Sequence, residues 1–126
     1  MKLKALLLIS TLAFVGCKST DVTQLNTMAK PETIAQAKEE LGQYDYLNVT
    51  DNGVIVYTER VASGYRWKSA NIKEISYRIA CENLGWYVES GMIVRMQFKG
   101  QGGQTRDYDY TRCLTEVPTD LYESKS

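Results

Sequence analysis

Two lysines and the apolar run behind them constrain this chain more than any other feature. Lys2 and Lys4 are followed by Ala5 to Val15, interrupted only by Ser10 and Thr11. A basic start and a short apolar stretch read as the n-region and h-region of an export signal. A helix of about eleven residues rises only ~16 Å, whereas a bilayer core of about 30 Å asks for around twenty. The segment is expected to target rather than to span. Removing residues 1–16 leaves 110 of the 126 residues, enough for one domain with a single modest core and too few for two.

The run closes on Phe14-Val15-Gly16-Cys17, which resembles the lipobox of bacterial lipoproteins, where a cysteine thiol takes a diacylglycerol before the leader is cleaved. The resemblance implies a lipid anchor on Cys17; an ordinary secretory signal that happens to hold a cysteine is the alternative. Two or three acyl chains, at about 0.8 kcal/mol per buried methylene, would hold the protein on a membrane. Lys18 follows the cysteine, where in that family an aspartate favours inner-membrane retention, so a periplasm-facing place on the outer membrane is expected. The organisation read from the chain is a lipoprotein signal peptide over 1–16, a polar lipidated tether over 17–30, a single periplasmic domain over 31–117 and a disordered tail over 118–126.

With Cys17 lipidated, Cys81 and Cys113 are the cysteines left in an oxidising compartment, and two can pair in only one way. Two buried free thiols are the alternative. Lys2 and Lys4 leave with the leader, taking the fifteen basic side chains to thirteen against fifteen acidic ones. That near-neutral balance argues against a nucleic-acid partner. The chain has no histidine, which excludes every His-based triad, dyad or metal site. No catalytic residue, metal or cofactor is expected, and the protein reads as non-enzymatic. Asp107 and Asp109 would alternate along a strand about 7 Å apart, a spacing that inverting glycosidases use. A solvated edge-strand pattern that discourages aggregation is the weightier reading.

Along the domain, Pro31 stands where a first helical position would be, Ile34, Ala37, Lys38 and Leu41 recur at helical spacing, and Gly42 supplies a stop. Two β-rich runs, Tyr44 to Thr50 and Val54 to Val61, flank Asp51-Asn52-Gly53, and Asn-Gly predicts a type I′ hairpin turn. A second helix is expected over 71–84, with Asn71 as cap, Glu74 three residues on, a face of Ile72, Ile75, Ile79 and Ala80, and Gly85 as its end. Met92, Val94, Met96 and Phe98 then share one face of a strand, Ile93, Arg95, Gln97 and Lys99 the other. Gly100-Gln101-Gly102-Gly103 turns the chain, and Thr105 to Arg112 returns with Tyr108 and Tyr110 in register. Cys113 has the opposite parity, so a bulge or a strand end must intervene. The fold class expected is α+β in the order α-β-β-α-β-β: a four-stranded, mainly antiparallel sheet, two helices on one face, and one disulfide tying the second helix to the final strand.

The stretch Ser76-Tyr77-Arg78-Ile79-Ala80-Cys81, then Glu89-Ser90-Gly91-Met92-Ile93-Val94-Arg95-Met96, a glycine turn, Arg106 and Thr111-Arg112-Cys113 resembles the α/β type of type II secretion pilotin. These are outer-membrane lipoproteins with a helix ending in cysteine, a glycine-led strand, a turn, and a polar strand ending in the second cysteine. The resemblance implies a chaperone that binds the C-terminal helix of a secretin subunit and carries it to the outer membrane. The partner-binding candidates are Tyr65 and Trp67 before the second helix and Trp86 and Tyr87 after it, placed to line one groove or else to cap the core. Ala62-Ser63-Gly64-Tyr65-Arg66-Trp67 also looks like a fragment of the Ser-Gly-x-x-Tyr loop of membrane-bound lysozyme inhibitors, although that family is an all-β barrel. An envelope lipoprotein with another protein or glycan partner is the remaining alternative.

Overall fold

The computed structural model describes residues 20–116; Cys17, the expected leader and the expected tail over 118–126 lie outside them. The domain is α+β, with a four-stranded sheet in the order β1 (Leu47–Val49), β2 (Val54–Arg60), β3 (Ile93–Lys99), β4 (Thr105–Tyr108). Helices α1 (Pro31–Leu41), α2 (Ser69–Tyr77), α3 (Gly85–Glu89) and α4 (Tyr110–Thr115) accompany it, and a π-helical segment, Arg78–Asn83, joins α2 to α3. Among the described residues no helix is long and apolar enough to cross a membrane.

The outer pairs β1–β2 and β3–β4 are antiparallel, as expected. The central pair is parallel, with Val54 beside Ile93 and Arg60 beside Lys99. Parallel neighbours need a crossover of a dozen or more residues, and the whole stretch 61–92, with its helices, supplies it. The sheet is therefore mixed.

The face bearing Ile55, Tyr57, Val94, Met96, Phe98 and Tyr108 meets Ala37 and Leu41 of α1, Ile72 of α2, Ala80 and Leu84 around the π segment, and Val88 of α3 in one core. The Met92 to Phe98 row is buried as its alternation requires. On the opposite face Arg95 departs from the expected wet side, being only 4% exposed. Its guanidinium grips its cross-strand neighbour Asp107 with two bonds, Nε to Oδ1 at 2.7 Å and Nη2 to Oδ2 at 2.9 Å, and also donates to the Thr20 carbonyl.

That last bond belongs to a larger departure. The described part of the expected tether, 20–30, lies against the domain. The Asn52 amide donates to the carbonyls of Val22 (2.9 Å) and Leu25 (3.2 Å), the Thr27 hydroxyl donates to the Asn52 carbonyl, and the Met28 N–H donates to Gly91 O at 2.9 Å. Gly91 has φ +101°, and a Cβ there would stand 2.6 Å from the Met28 carbonyl carbon, so only glycine admits both the turn and the docked segment.

Four local expectations are corrected. The hairpin loop Asp51-Asn52-Gly53 has positive φ at Gly53 alone, so it is a three-residue loop ending in a left-handed glycine, not a type I′ turn. Thr50 settles it by accepting the Val54 N–H on its hydroxyl at 3.0 Å. The second helix begins at Ser69 behind Lys68, so Asn71 and Glu74 lie inside it and form no capping box; the chain breaks at Leu84, and Gly85 opens α3 instead of ending α2. The run from Tyr44 is strand only from Leu47, because Leu47 N–H turns back to Tyr44 O at 3.1 Å. The final strand stops at Tyr108: Asp109 caps α4 by accepting the Arg112 N–H at 2.8 Å, and Tyr110 leaves the sheet.

The strand end resolves the parity of Cys113. The disulfide joins Cys81 and Cys113 with Cα atoms 5.4 Å apart, and it ties the π segment to α4 where a tie to the last strand was expected.

Candidate functional site

A groove of about 420 Å³ opens between the end of α1, the turn into β1, and the π segment, lined among others by Leu41, Tyr44, Tyr46, Tyr57, Ile79 and Tyr87. Three local events build it. The Tyr44–Leu47 turn carries two tyrosines past the edge of the sheet. Hairpin register sets Leu47 opposite Tyr57. The π segment, closed by Leu84 N–H to Ile79 O at 2.8 Å, adds a residue to one turn, so Ile79 and Leu84 reach the groove wall while Ala80 stays in the core.

Its rings are not stacked. Tyr44 and Tyr46 have centroids 5.5 Å apart at 40°, and Tyr46 meets Tyr57 at 5.6 Å and 71°. Tyr57 continues the row to Phe98 and Phe98 to Trp67, so an aromatic file runs from the groove through the core. The Tyr87 hydroxyl donates to Glu40 Oε1 at 2.5 Å, bracing α3 against α1. Burial first, then the Glu40 carboxylate, push the Tyr87 hydroxyl up to about 12. Burial and the Glu59 carboxylate do the same for Tyr57, again to about 12. Both remain neutral hydrogen-bonding groups at any physiological pH.

The four aromatics expected to share a groove do not do so. Tyr87 lines it; Trp86, 52% exposed, packs edge-on against Tyr87 at its margin. Trp67 caps the core: its ring meets Phe98 at 5.0 Å, its indole N–H donates to Lys99 O and its backbone N–H to Gln101 O, both at 2.9 Å. Tyr65 is 69% exposed in a turn closed by its N–H to Ala62 O. The sequence reading missed Tyr44, Tyr46 and Tyr57. The signal available was the hairpin itself, whose register places them together.

The carboxylate pair separates, Asp107 to Arg95 and Asp109 to the cap of α4, so the two never converge. Behind the disulfide, Glu116 collects Tyr108 Oη (2.6 Å), Arg112 Nε (3.0 Å) and Arg106 Nη2 (3.1 Å). Arg112 lies over the Tyr108 ring at 4.4 Å. The two arginines share the one carboxylate and place further bonds on Asp107 O and Tyr108 Oη, which marks the cluster as a fastening for α4. Among the described residues no group of three or more His, Cys, Asp or Glu side chains could hold a metal ion. Comparison with protein-family models, with curated proteins and with solved structures returned no match to the chain.

Proposed function

We propose that the protein is a non-enzymatic outer-membrane lipoprotein, anchored through Cys17, that acts as a pilotin-like chaperone for the C-terminal helix of a secretin subunit in type II secretion. The observation that carries the reading is the tyrosine groove. An amphipathic helix docks through a row of apolar side chains at i, i+3/i+4 and i+7, and about 420 Å³ receives roughly two or three of them. Tyrosines suit such a surface because each offers a large rigid contact area and a polar rim.

The docked N-terminal segment supports the anchoring half. Thr20 is held by Arg95, and the link from Cys17 to Thr20 can reach at most about 10 Å. A lipid on Cys17 would therefore keep the domain close against the membrane.

Titration of the mature protein with a secretin C-terminal peptide from the same organism tests the reading, with Tyr87→Ala and Tyr46→Leu as groove variants. Binding that both variants weaken supports it; no binding refutes it. Exposed Tyr65 favours a second reading, a lysozyme inhibitor, although the helices and mixed sheet of the described residues are unlike that family's barrel. Inhibition of lysozyme in the same assay, abolished by Tyr65→Ala, would replace the first reading with the second.

A further inference from the structure

We infer that the groove is built around a cation: a lysine or arginine side chain, carried among the apolar residues of the partner segment, sits between Tyr44, Tyr46, Tyr57 and Tyr87. This rests on the groove being the partner's dock and adds the chemistry of its anchor. The ring faces of tyrosine carry negative quadrupole density and attract an ammonium or guanidinium within about 6 Å of the centroid. Tyr44 and Tyr46 are 41% and 49% exposed and meet at a tilt of 40°, so both keep ring surface open at the groove.

Charge points the same way. The spans that supply the lining, 41–47, Tyr57 and 79–87, hold Asp45 and Glu82 and no lysine or arginine, with Glu40 bonded to Tyr87 and with Glu59 and Arg78 both beside Tyr57. Glu40 is attached to the groove wall through the Tyr87 hydroxyl. The wall asks for apolar contact and the carboxylates around it for a positive charge, while an acidic occupant would be repelled. A lysine or arginine satisfies both demands, its methylene stem lying on the apolar wall of Leu41, Ile79 and Leu84 and its charge among the rings and carboxylates.

The test uses the full mature protein in detergent and three amphipathic helical peptides of leucine, alanine and glutamine, differing only at one central position on the apolar face: lysine, arginine or norleucine. The cationic peptides should bind about tenfold more tightly than the norleucine peptide, and high salt should narrow the gap. Tyr46 is half exposed, so Tyr46→Leu spares the core; it should remove the cationic preference while leaving norleucine binding in place. Equal or tighter binding of norleucine overturns the cation site and leaves the helix-docking reading standing. If all three peptides fail while the secretin peptide binds, the cation site is again overturned; if the secretin peptide fails as well, both readings fall.

Discussion

Replacing both Cys81 and Cys113 by alanine should cost about 3.7 kcal/mol of stability, from the chain-entropy account applied to their separation of 32 residues. The loop that the bond closes contains α3, β3 and β4, the centre and one edge of the sheet. The cross-link therefore restrains global unfolding, and the whole entropic effect should appear in the main transition. For a domain near one hundred residues this corresponds to roughly 15 to 30 °C in Tm. Alanine is preferred to serine because both cysteines pack against the core, where a hydroxyl would add its own desolvation cost. Urea denaturation of the wild type and the double variant gives the free energy, and it also gives a diagnostic. Without the bond the unfolded chain expands, so m should rise along with the loss of stability. A loss under about 1 kcal/mol, or a full loss at unchanged m, would refute the assignment of the effect to the unfolded state.

Glu116 gives an acid-limb prediction. Burial disfavours its charge, but the bonds from Tyr108 and Arg112 and the charges of Arg112 and Arg106 outweigh that and hold the carboxyl below its ordinary value. Its stabilisation is therefore complete above the ordinary glutamate range and is lost as pH falls through the lower folded value; Glu116→Gln should cost about 1 to 3 kcal/mol at neutral pH and flatten the acid limb measured by denaturation across pH. The tyrosines act at the other end. With Tyr57 and Tyr87 raised to about 12 and Tyr108 raised as well by burial and its bond to Glu116, the unfolded chain loses protons first, so stability should fall between about pH 10 and 12, and absorbance titration should show these three phenols ionising late, one of them lost in Tyr87→Phe. Gly91→Ala should cost about 1 to 3 kcal/mol from its positive φ and, by displacing Met28, should free the 20–29 segment to proteolysis; an intact segment in that variant would contradict the docking.

What was legible in the sequence is what local chemistry encodes. Pro31 at the first helical position and the Ala37–Leu41 stripe delimit α1 as found, and the Met92 to Phe98 alternation names the buried face of β3. Alternation assigns a face, however, not a neighbour, so nothing in Val54–Arg60 announced that its partner runs parallel. The π segment was equally hidden, since a bond from Leu84 back to Ile79 leaves no compositional mark. Asp109 was misplaced for a different reason. In a run that reads Asp-Tyr-Asp-Tyr, strand alternation and a helix cap compete, and the cap prevails because the Arg112 N–H needs an acceptor once the chain leaves the sheet.

The site was less legible because its wall comes from three distant segments that only the hairpin register and the π turn bring together. Large aromatics beside a helix were a reasonable place to look, and the two tryptophans show what separates a binding residue from a core cap. Trp67 spends its indole and backbone N–H groups on Lys99 O and Gln101 O, joining the loop before α2 to the β3–β4 turn. Trp67→Ala keeps the backbone bond but loses the indole bond to Lys99 O and uncovers Phe98, so it should destabilise the domain and blur any readout of partner binding. Trp86 makes no such bond among the described residues and touches the groove only through the edge of Tyr87. Burying an exposed indole against a docked helix is worth far more than burying one already packed. Of the two, Trp86 is therefore the position at which lost affinity and retained folding can be observed together.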